Sequence, residues 1–400
     1  MERFIFHSYS FDVTKSVISF VYQSGGDWFE EKLFLPKPFS DSVESTVLDA
    51  LLFNLHLALG ISYWKMKCLK NIEIKSGKLN KEQAVFWNLI YTKGLGEFYY
   101  RNKIDFRNLV KFPYSDVTLP LQTEMSFSKR ELVGIGGGKD SVVTWERLKK
   151  EKVSAMGLII ETQKKYKTIN KLLLVGNIPA IKIRREMDIK LVDQKNNALF
   201  HNGHVPISMI YAWIGVLSAV IYDYRAFVVS NEKSADEGNT EMCGISINHQ
   251  WSKSKEFEEA FVQYIHTFVS PHISYYSPLR NMTELEIVKE FISYPQYRTV
   301  VSSCNRNFSI THTLHNIRWC GKCPKCAFSF LLFAAYLPRN EVLTMFNTNM
   351  LDDPSLVSLF RDLLGRGSMK PFDCVGTFAE ARQAMKMIQK RGEFNLKLHI

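Results

Sequence analysis

The chain has 400 residues, 46% of them apolar and 23% charged, which excludes a disordered or collagen-like protein and leaves room for two or three domains. Lys and Arg number 51 against 40 Asp and Glu, and the formal charge of +11 suits an anionic ligand such as a nucleotide. There is no Arg/Lys-dense tail or RGG run, so nucleic acid is not favoured.

The opening MERFIFHSYSFD carries acidic and aromatic residues and lacks a signal-peptide apolar core, which predicts a cytoplasmic protein. Residues 1–125 read as an N-terminal α+β domain. RFIFHSYSF and SVISFVYQ alternate apolar and polar, and the Gly25-Gly26-Asp27 turn before WFEEKLFLP predicts a hairpin. SVESTVLDALLFNLHLALG predicts an amphipathic helix closed by Gly60. A short strand, NIEIKSGKL, and one aromatic-rich helix, KEQAVFWNLIYTKGLGEFYYR, follow. FPYSDVTLPLQTEMSFSKR, with two prolines and no clear period, predicts a linker.

Residues 126–300 alternate strands and helices. ELVGIG, SAMGLII, IPAIKI, RAFVVS and HISYYS read as strands, which argues for a parallel sheet with crossover helices. The apolar run Ile207–Tyr222 is closed by Asp223 and Arg225 and is shorter than the ~20 residues a membrane span needs, so it reads as a buried helix and no membrane partner is expected. Residues 301–400 hold a cysteine cluster and are mostly helical.

The strongest motif is Val133-Gly134-Ile135-Gly136-Gly137-Gly138-Lys139-Asp140-Ser141. An apolar strand runs into three glycines and a helix opens directly after them. Glycines permit an anion-binding nest, and the helix N-terminus adds unpaired N–H donors. Lys139 offers a charge and Ser141 a hydroxyl. The pattern is neither Walker A nor the Rossmann GxGxxG. It resembles the PP-loop, SGGxDS, of the ATP pyrophosphatase superfamily, with Gly136 where that superfamily usually has Ser. The resemblance implies ATP cleavage between the α and β phosphates, with an adenylated substrate. The fold expected is therefore α/β: a PP-loop (adenine nucleotide alpha hydrolase-like) parallel sheet, a smaller N-terminal α+β domain and a helical C-terminal part.

Ligands of such sheets bind beyond the carboxyl ends of the strands, so the segment after AFVVS, Ser230 to Asn239, is expected beside the glycine loop. Asn231, Glu232, Ser234 and Asp236 are its candidate nucleotide contacts, and Glu232, Asp236 or Glu237 could hold Mg²⁺. Asn202 to His204 precede Pro206 at the start of a helix, and His249 follows in NHQWSKS; each is either an ordinary surface or capping residue or part of a site. Thr283 and Glu286 form a capping-box pattern.

Seven cysteines are too few, and odd in number, for a disulfide scaffold. Cys320, Cys323 and Cys326 lie at three-residue spacing and Cys304 can complete four thiolates, which suits structural Zn²⁺, with an iron–sulfur cluster as the rival. The arrangement resembles the zinc site of the queuosine-pathway cyano-deazaguanine synthase, a PP-loop enzyme. Cys374, in KPFDCVG, is either a small core residue or a catalytic thiol.

Together GIGGGKDS, SNEKSADEGN, NHQWSKSKEFE, SCNRNF, WCGKCPKCAF and KPFDCVG are similar to the UDP-N-acetylmuramoyl-L-alanyl-L-glutamate epimerase family, MurL. The resemblance implies ATP- and Mg²⁺-dependent inversion of the glutamate α-carbon of a UDP-linked muramoyl dipeptide. It implies ATP binding at Gly136, Gly137, Gly138, Lys139, Asp140 and Ser141. His249 first, then His204 and Cys374, are the candidate proton-transfer groups, because their pKa values can be brought near neutrality. The competing expectation is a PP-loop enzyme acting on tRNA or a nucleobase, against which Cys243 stands without a second catalytic cysteine.

Overall fold

The computed structural model describes residues 2–40, 43–116, 125–162, 166–193, 200–308 and 318–394. Strands β1 (Arg3–Asp12), β2 (Val17–Ser24) and β3 (Asp27–Phe34) form the expected antiparallel meander, with Ser24 paired to Asp27 across the two-glycine turn. Every second residue of β2 (Ile18, Phe20, Tyr22, Ser24) is buried, as the period of two requires. Helix α1 (Ser45–Trp64) lies on this face. Gly60 does not close it, as the sequence suggested; the helix runs on to Trp64, and Gly60 is the point where α1 meets Phe6 and Tyr22 with no room for a Cβ. β4 (Asn71–Ile74) joins β1 in parallel.

The expected single helix of residues 81–101 is two, α2 (Lys81–Lys93) and α3 (Gly96–Asn102). Gly94 ends the first, its N–H bonded to Ile90 O, and any Cβ there would sit 2.5 Å from that same oxygen. The break turns α3 and its Glu97 toward the site described below.

Then follow β5 (Arg130–Gly134), α4 (Lys139–Lys150), β6 (Ser154–Thr162), α5 (Lys167–Gly176), β7 (Ala180–Glu186), α6 (Ile189–Asp193), α7 (Ile207–Ile221) and β8 (Ala226–Val228). A hairpin of β9 (Thr240–Met242) and β10 (Ile245–Ile247) precedes α8 (Lys255–Phe268), β11 (Ser274–Tyr276) and α9 (Glu284–Phe291). All five strands read from the second segment are present, in the parallel order β11-β8-β5-β6-β7. The same sheet continues through β3-β2-β1-β4, with β3 antiparallel to β7 in the register Lys32↔Glu186, Leu33↔Arg185, Phe34↔Arg184. The segment from β1 to α3 thus shares one nine-stranded sheet and one apolar core with the residues that follow.

Neighbouring residues of β5 face opposite layers: Leu132 belongs to the core with α1 and α7, Val133 to the core with α4, α5 and the C-terminal helices. The C-terminal helices are α10 (Asn305–Phe308), α11 (Pro324–Tyr336), α12 (Arg339–Phe346), α13 (Val357–Leu363) and α14 (Phe378–Arg391), with α12, α13 and α14 packed around the apolar α11. The run Ile207–Tyr222 is the buried helix α7. Among the described residues one helix, α1, is long and apolar enough to cross a membrane, and 72% of its apolar window is buried inside the protein, as in a core helix.

Candidate active site

The chain leaves β5 toward β6 and β7 on one side and returns to β8 and β11 on the other, so the end of β5 is the switch point of the sheet. The glycine loop occupies it. Two of its glycines are required, each for a different reason. Gly137 adopts φ +85°, which an L side chain rarely tolerates. A Cβ on Gly138 would come within 2.8 Å of Ser303 Oγ, while Gly136 has open space. Gly138 is also the extended N-cap of α4, with no side chain capping the first turn, so the helix presents free N–H donors.

A cavity of about 430 Å³ opens here. Gly136, Gly138, Asp140 and Ser141 line one side, and Ile159, Tyr166, Tyr211, Phe227 and Tyr275 form apolar walls. Asn231, Ser230, Lys253, Lys325, Asn305 and Cys374 complete it. Ser230 Oγ is buried without a partner, a donor left for a ligand.

Lys139 does not line this cavity. It is buried, and its ammonium pairs with Glu284 at the start of α9 and with Asp140. Burial alone would lower its pKa, but those two carboxylates outweigh it and hold the lysine charged. The cations that face the cavity are Lys253 and Lys325. In the polar loop, Asn231 reaches the cavity and Glu232 is buried near Lys253. Ser234 is buried, Asp236 accepts the Lys255 N–H at 2.6 Å, and Glu237 pairs with Lys370 at 3.0 Å. The capping box of Thr283 and Glu286 forms as read.

His249, His204 and Cys374, far apart in sequence, come together. The His249 ring hydrogen-bonds the Cys374 thiol and, through Nδ1, Glu97 Oε2. His204 Nδ1 is 3.3 Å from that same oxygen, and the two imidazole centroids are 4.6 Å apart. Arg101 Nε binds Glu97 Oε1 at 2.5 Å, and Lys253 Nζ lies 3.6 Å from Cys374 Sγ. Burial opposes charge on His249, yet Cys374 and Glu97 raise its pKa to about 10. Burial would raise Cys374, but Lys253 first and His249 next bring it down to about 7. Burial and then the neighbouring His249 charge lower His204 to about 3, so it is neutral.

Cys304, Cys320, Cys323 and Cys326 converge, all four sulfurs within 4.8 Å of one another, with Cys320 and Cys326 Sγ 3.7 Å apart. Tetrahedral Zn–S bonds of about 2.3 Å place sulfurs about 3.8 Å apart, so the donor set fits a structural metal site. The cluster touches the glycine loop: the Ser302 N–H donates to Gly137 O at 3.0 Å, and Lys325 lies between two of the cysteines in sequence.

Glu97, Lys253 and Lys325 were not singled out from sequence. Lys253 and Lys325 lie inside motifs quoted above, and Glu97 inside the helical pattern KEQAVFWNLIYTKGLGEFYYR, where nothing sets one carboxylate apart from the others; the break after α2 places it. Cys243 sits in the β9–β10 turn and does not line the cavity.

A glycine loop at the switch point of a parallel sheet, opening on a cavity with apolar walls and two lysines, is the arrangement of an α/β protein of the PP-loop kind. Residues 1–278 match the MurL N-terminal domain, and residues 300–398 the MurL C-terminal domain. The UDP-N-acetyl-alpha-D-muramoyl-L-alanyl-L-glutamate epimerase of Xanthomonas oryzae is 33% identical over 397 residues, covering 98% of this chain and 87% of that protein. Proteins of the same description from Salinispora tropica (33%, 97% of this chain, 85% of that protein) and Micromonospora (32%, 98% and 88%) are similar to it over the same span. The chain belongs to the MurL family.

Proposed function

We propose that this protein inverts the terminal L-Glu of UDP-MurNAc-L-Ala-L-Glu to D-Glu in peptidoglycan precursor synthesis, using ATP to form an acyl adenylate. The observation that carries the mechanism is that Cys374, in contact with His249, lies on the wall of the glycine-loop cavity. A Cα–H beside a carboxylate is hardly acidic, because its loss would place a second negative charge next to the first. Adenylation removes that charge and makes the carbonyl an electron sink.

The free N–H groups of α4, Ser230 and the loop Gly136 to Ser141 bind the phosphates, with Asn231, Lys253 and Lys325 facing them. Mg²⁺ needs few protein ligands beside phosphates, and Asp140 is the carboxylate on the cavity wall that would hold it; the ion would neutralise phosphate charge. Zn²⁺ at the four cysteines would brace the segment that carries Ser302, Ser303 and Lys325. His249, His204 and Cys374 form the proton-transfer group. A cytoplasmic location follows from the use of ATP and a nucleotide-linked precursor.

The test is incubation with ATP, Mg²⁺ and UDP-MurNAc-L-Ala-L-Glu, then acid hydrolysis and chiral chromatography of glutamate. D-Glu appearing together with AMP supports the proposal, AMP without inversion moves the substrate elsewhere, and neither product refutes it. A His249→Gln protein that epimerises at the normal rate would remove His249 from the proton-transfer group.

A further inference from the structure

We propose that Cys374, as a thiolate held by Lys253 and the His249 imidazolium, takes the Cα proton on one face of the activated glutamyl residue, and that Glu97 is the positioning residue that keeps His249 charged and oriented. This rests on the epimerase reading and deepens it. Of the Glu97–His249–Cys374 chain only Cys374 lines the cavity, so it is the member a substrate can touch. Lys253 Nζ at 3.6 Å and the His249 ring supply positive charge to the sulfur, with Lys325 adding to it. The Cys374 N–H is fixed by Asp373 Oδ1 at 2.8 Å, and the His249 N–H by Asn239 Oδ1 at 2.8 Å.

Glu97 is buried and comes from α3. Its Oε2 takes His249 Nδ1, which fixes the ring and favours the imidazolium that lends charge to Cys374. The remaining charges around the relay are Asp140 and Glu232 near Lys253, and Arg101 and Lys65 near His204. The last two also disfavour a divalent cation at Glu97, His204 and His249, because the single carboxylate is already neutralised.

In the step itself the thiolate takes the proton and becomes a thiol, and the C–H electrons remain on Cα as the enolate of the acyl adenylate. A solvent proton added to the opposite face inverts the centre, and the thiol returns its proton to solvent. One carbon-bound hydrogen is therefore exchanged per inversion.

The test uses the full chain with its metal in place. Alkylation of Cys374 by iodoacetamide is followed by peptide mass spectrometry against pH. The thiol is expected to titrate near pH 7. Lys253→Met and Glu97→Gln are each expected to move the midpoint up by about one pH unit; an unmoved midpoint in Glu97→Gln overturns its positioning role. In D₂O, the wild-type product gains deuterium at Cα. Cys374→Ala and Cys374→Ser should lose that exchange on the order of 100-fold while keeping substrate-dependent ATP–pyrophosphate exchange, which also reports that they fold. Epimerisation by both variants near the normal rate, or capture of substrate as a thioester on Cys374, overturns the inference. Absence of pyrophosphate exchange in the wild type overturns the adenylation reading instead.

Discussion

Arg185→Leu tests whether the N-terminal meander and the parallel sheet are one folding unit. Arg185 on β7 and Glu31 on β3 meet at the seam between them, with side chains 1% and 0% exposed and Nε 2.6 Å from Oε1. Tyr63 donates to the other carboxylate oxygen at 2.8 Å and itself receives the Asp188 N–H at 3.3 Å. Removing the guanidinium leaves a buried carboxylate with one hydroxyl partner, and breaking such a pair from one side costs about 3–5 kcal/mol. Replacing both, Glu31→Leu with Arg185→Leu, removes the charge altogether and leaves the Tyr63 hydroxyl short of one acceptor, a loss of about 1 kcal/mol. The double variant should therefore be more stable than Arg185→Leu. Urea unfolding followed by far-ultraviolet circular dichroism and tryptophan fluorescence measures both, and the two probes should report one transition if the sheet unfolds as a unit. A loss below about 1 kcal/mol in Arg185→Leu, the range of a surface pair, would refute the reasoning. A double variant no more stable than the single one would refute it too.

Gly136→Ser should be tolerated, since its Cβ meets open space and its φ is not left-handed. The restored hydroxyl should tighten ATP binding several-fold in titration calorimetry, the worth of one hydrogen bond at about 0.5–1.5 kcal/mol. Gly137→Ala at φ +85° should instead cost roughly 1–2 kcal/mol of stability in the same unfolding assay. Stripping metal from the four cysteines under reducing conditions should weaken ATP binding as well as lower the melting temperature, because the Cys304 segment docks on Gly137 and Gly138; unchanged ATP affinity in a chelated, folded protein would separate the two sites. Glu97→Gln should be less stable than the wild type, with a defined pH dependence. Burial would raise the Glu97 pKa, but His249, His204 and Arg101 hold it down to about 2. Its contribution is present above the ordinary 4.5 and lost as pH falls through about 2, so melting curves of the two proteins should converge in strong acid.

Much of the site was legible because its chemistry is local. The glycine loop, the helix it opens and the cysteine spacing are short-range patterns whose geometry follows from a few adjacent residues, and the strands of both segments follow from period and apolar runs. Gly60 and the α2–α3 break are misread in opposite directions. Gly60 reads as a stop yet answers a close approach by Phe6 inside a continuing helix, whereas Gly94 reads as part of one helix yet ends α2; which of the two a glycine does depends on what packs against it, and no local rule encodes that.

The sequence by itself therefore determined the α/β class, the glycine loop at the helix start, the four-thiolate cluster and a set of candidate acids and bases. Only the tertiary structure decided how they are used. Lys139 is turned inward because Glu284, 145 positions away, waits there as a buried partner, and Lys253 and Lys325 take the cavity in its place. Cys374 becomes acidic because packing brings Lys253 and His249, from the segment between β10 and α8, and Lys325, from α11, around one sulfur. Burial and charge act through space, and the chain order carries no record of which residues will share a low-dielectric pocket.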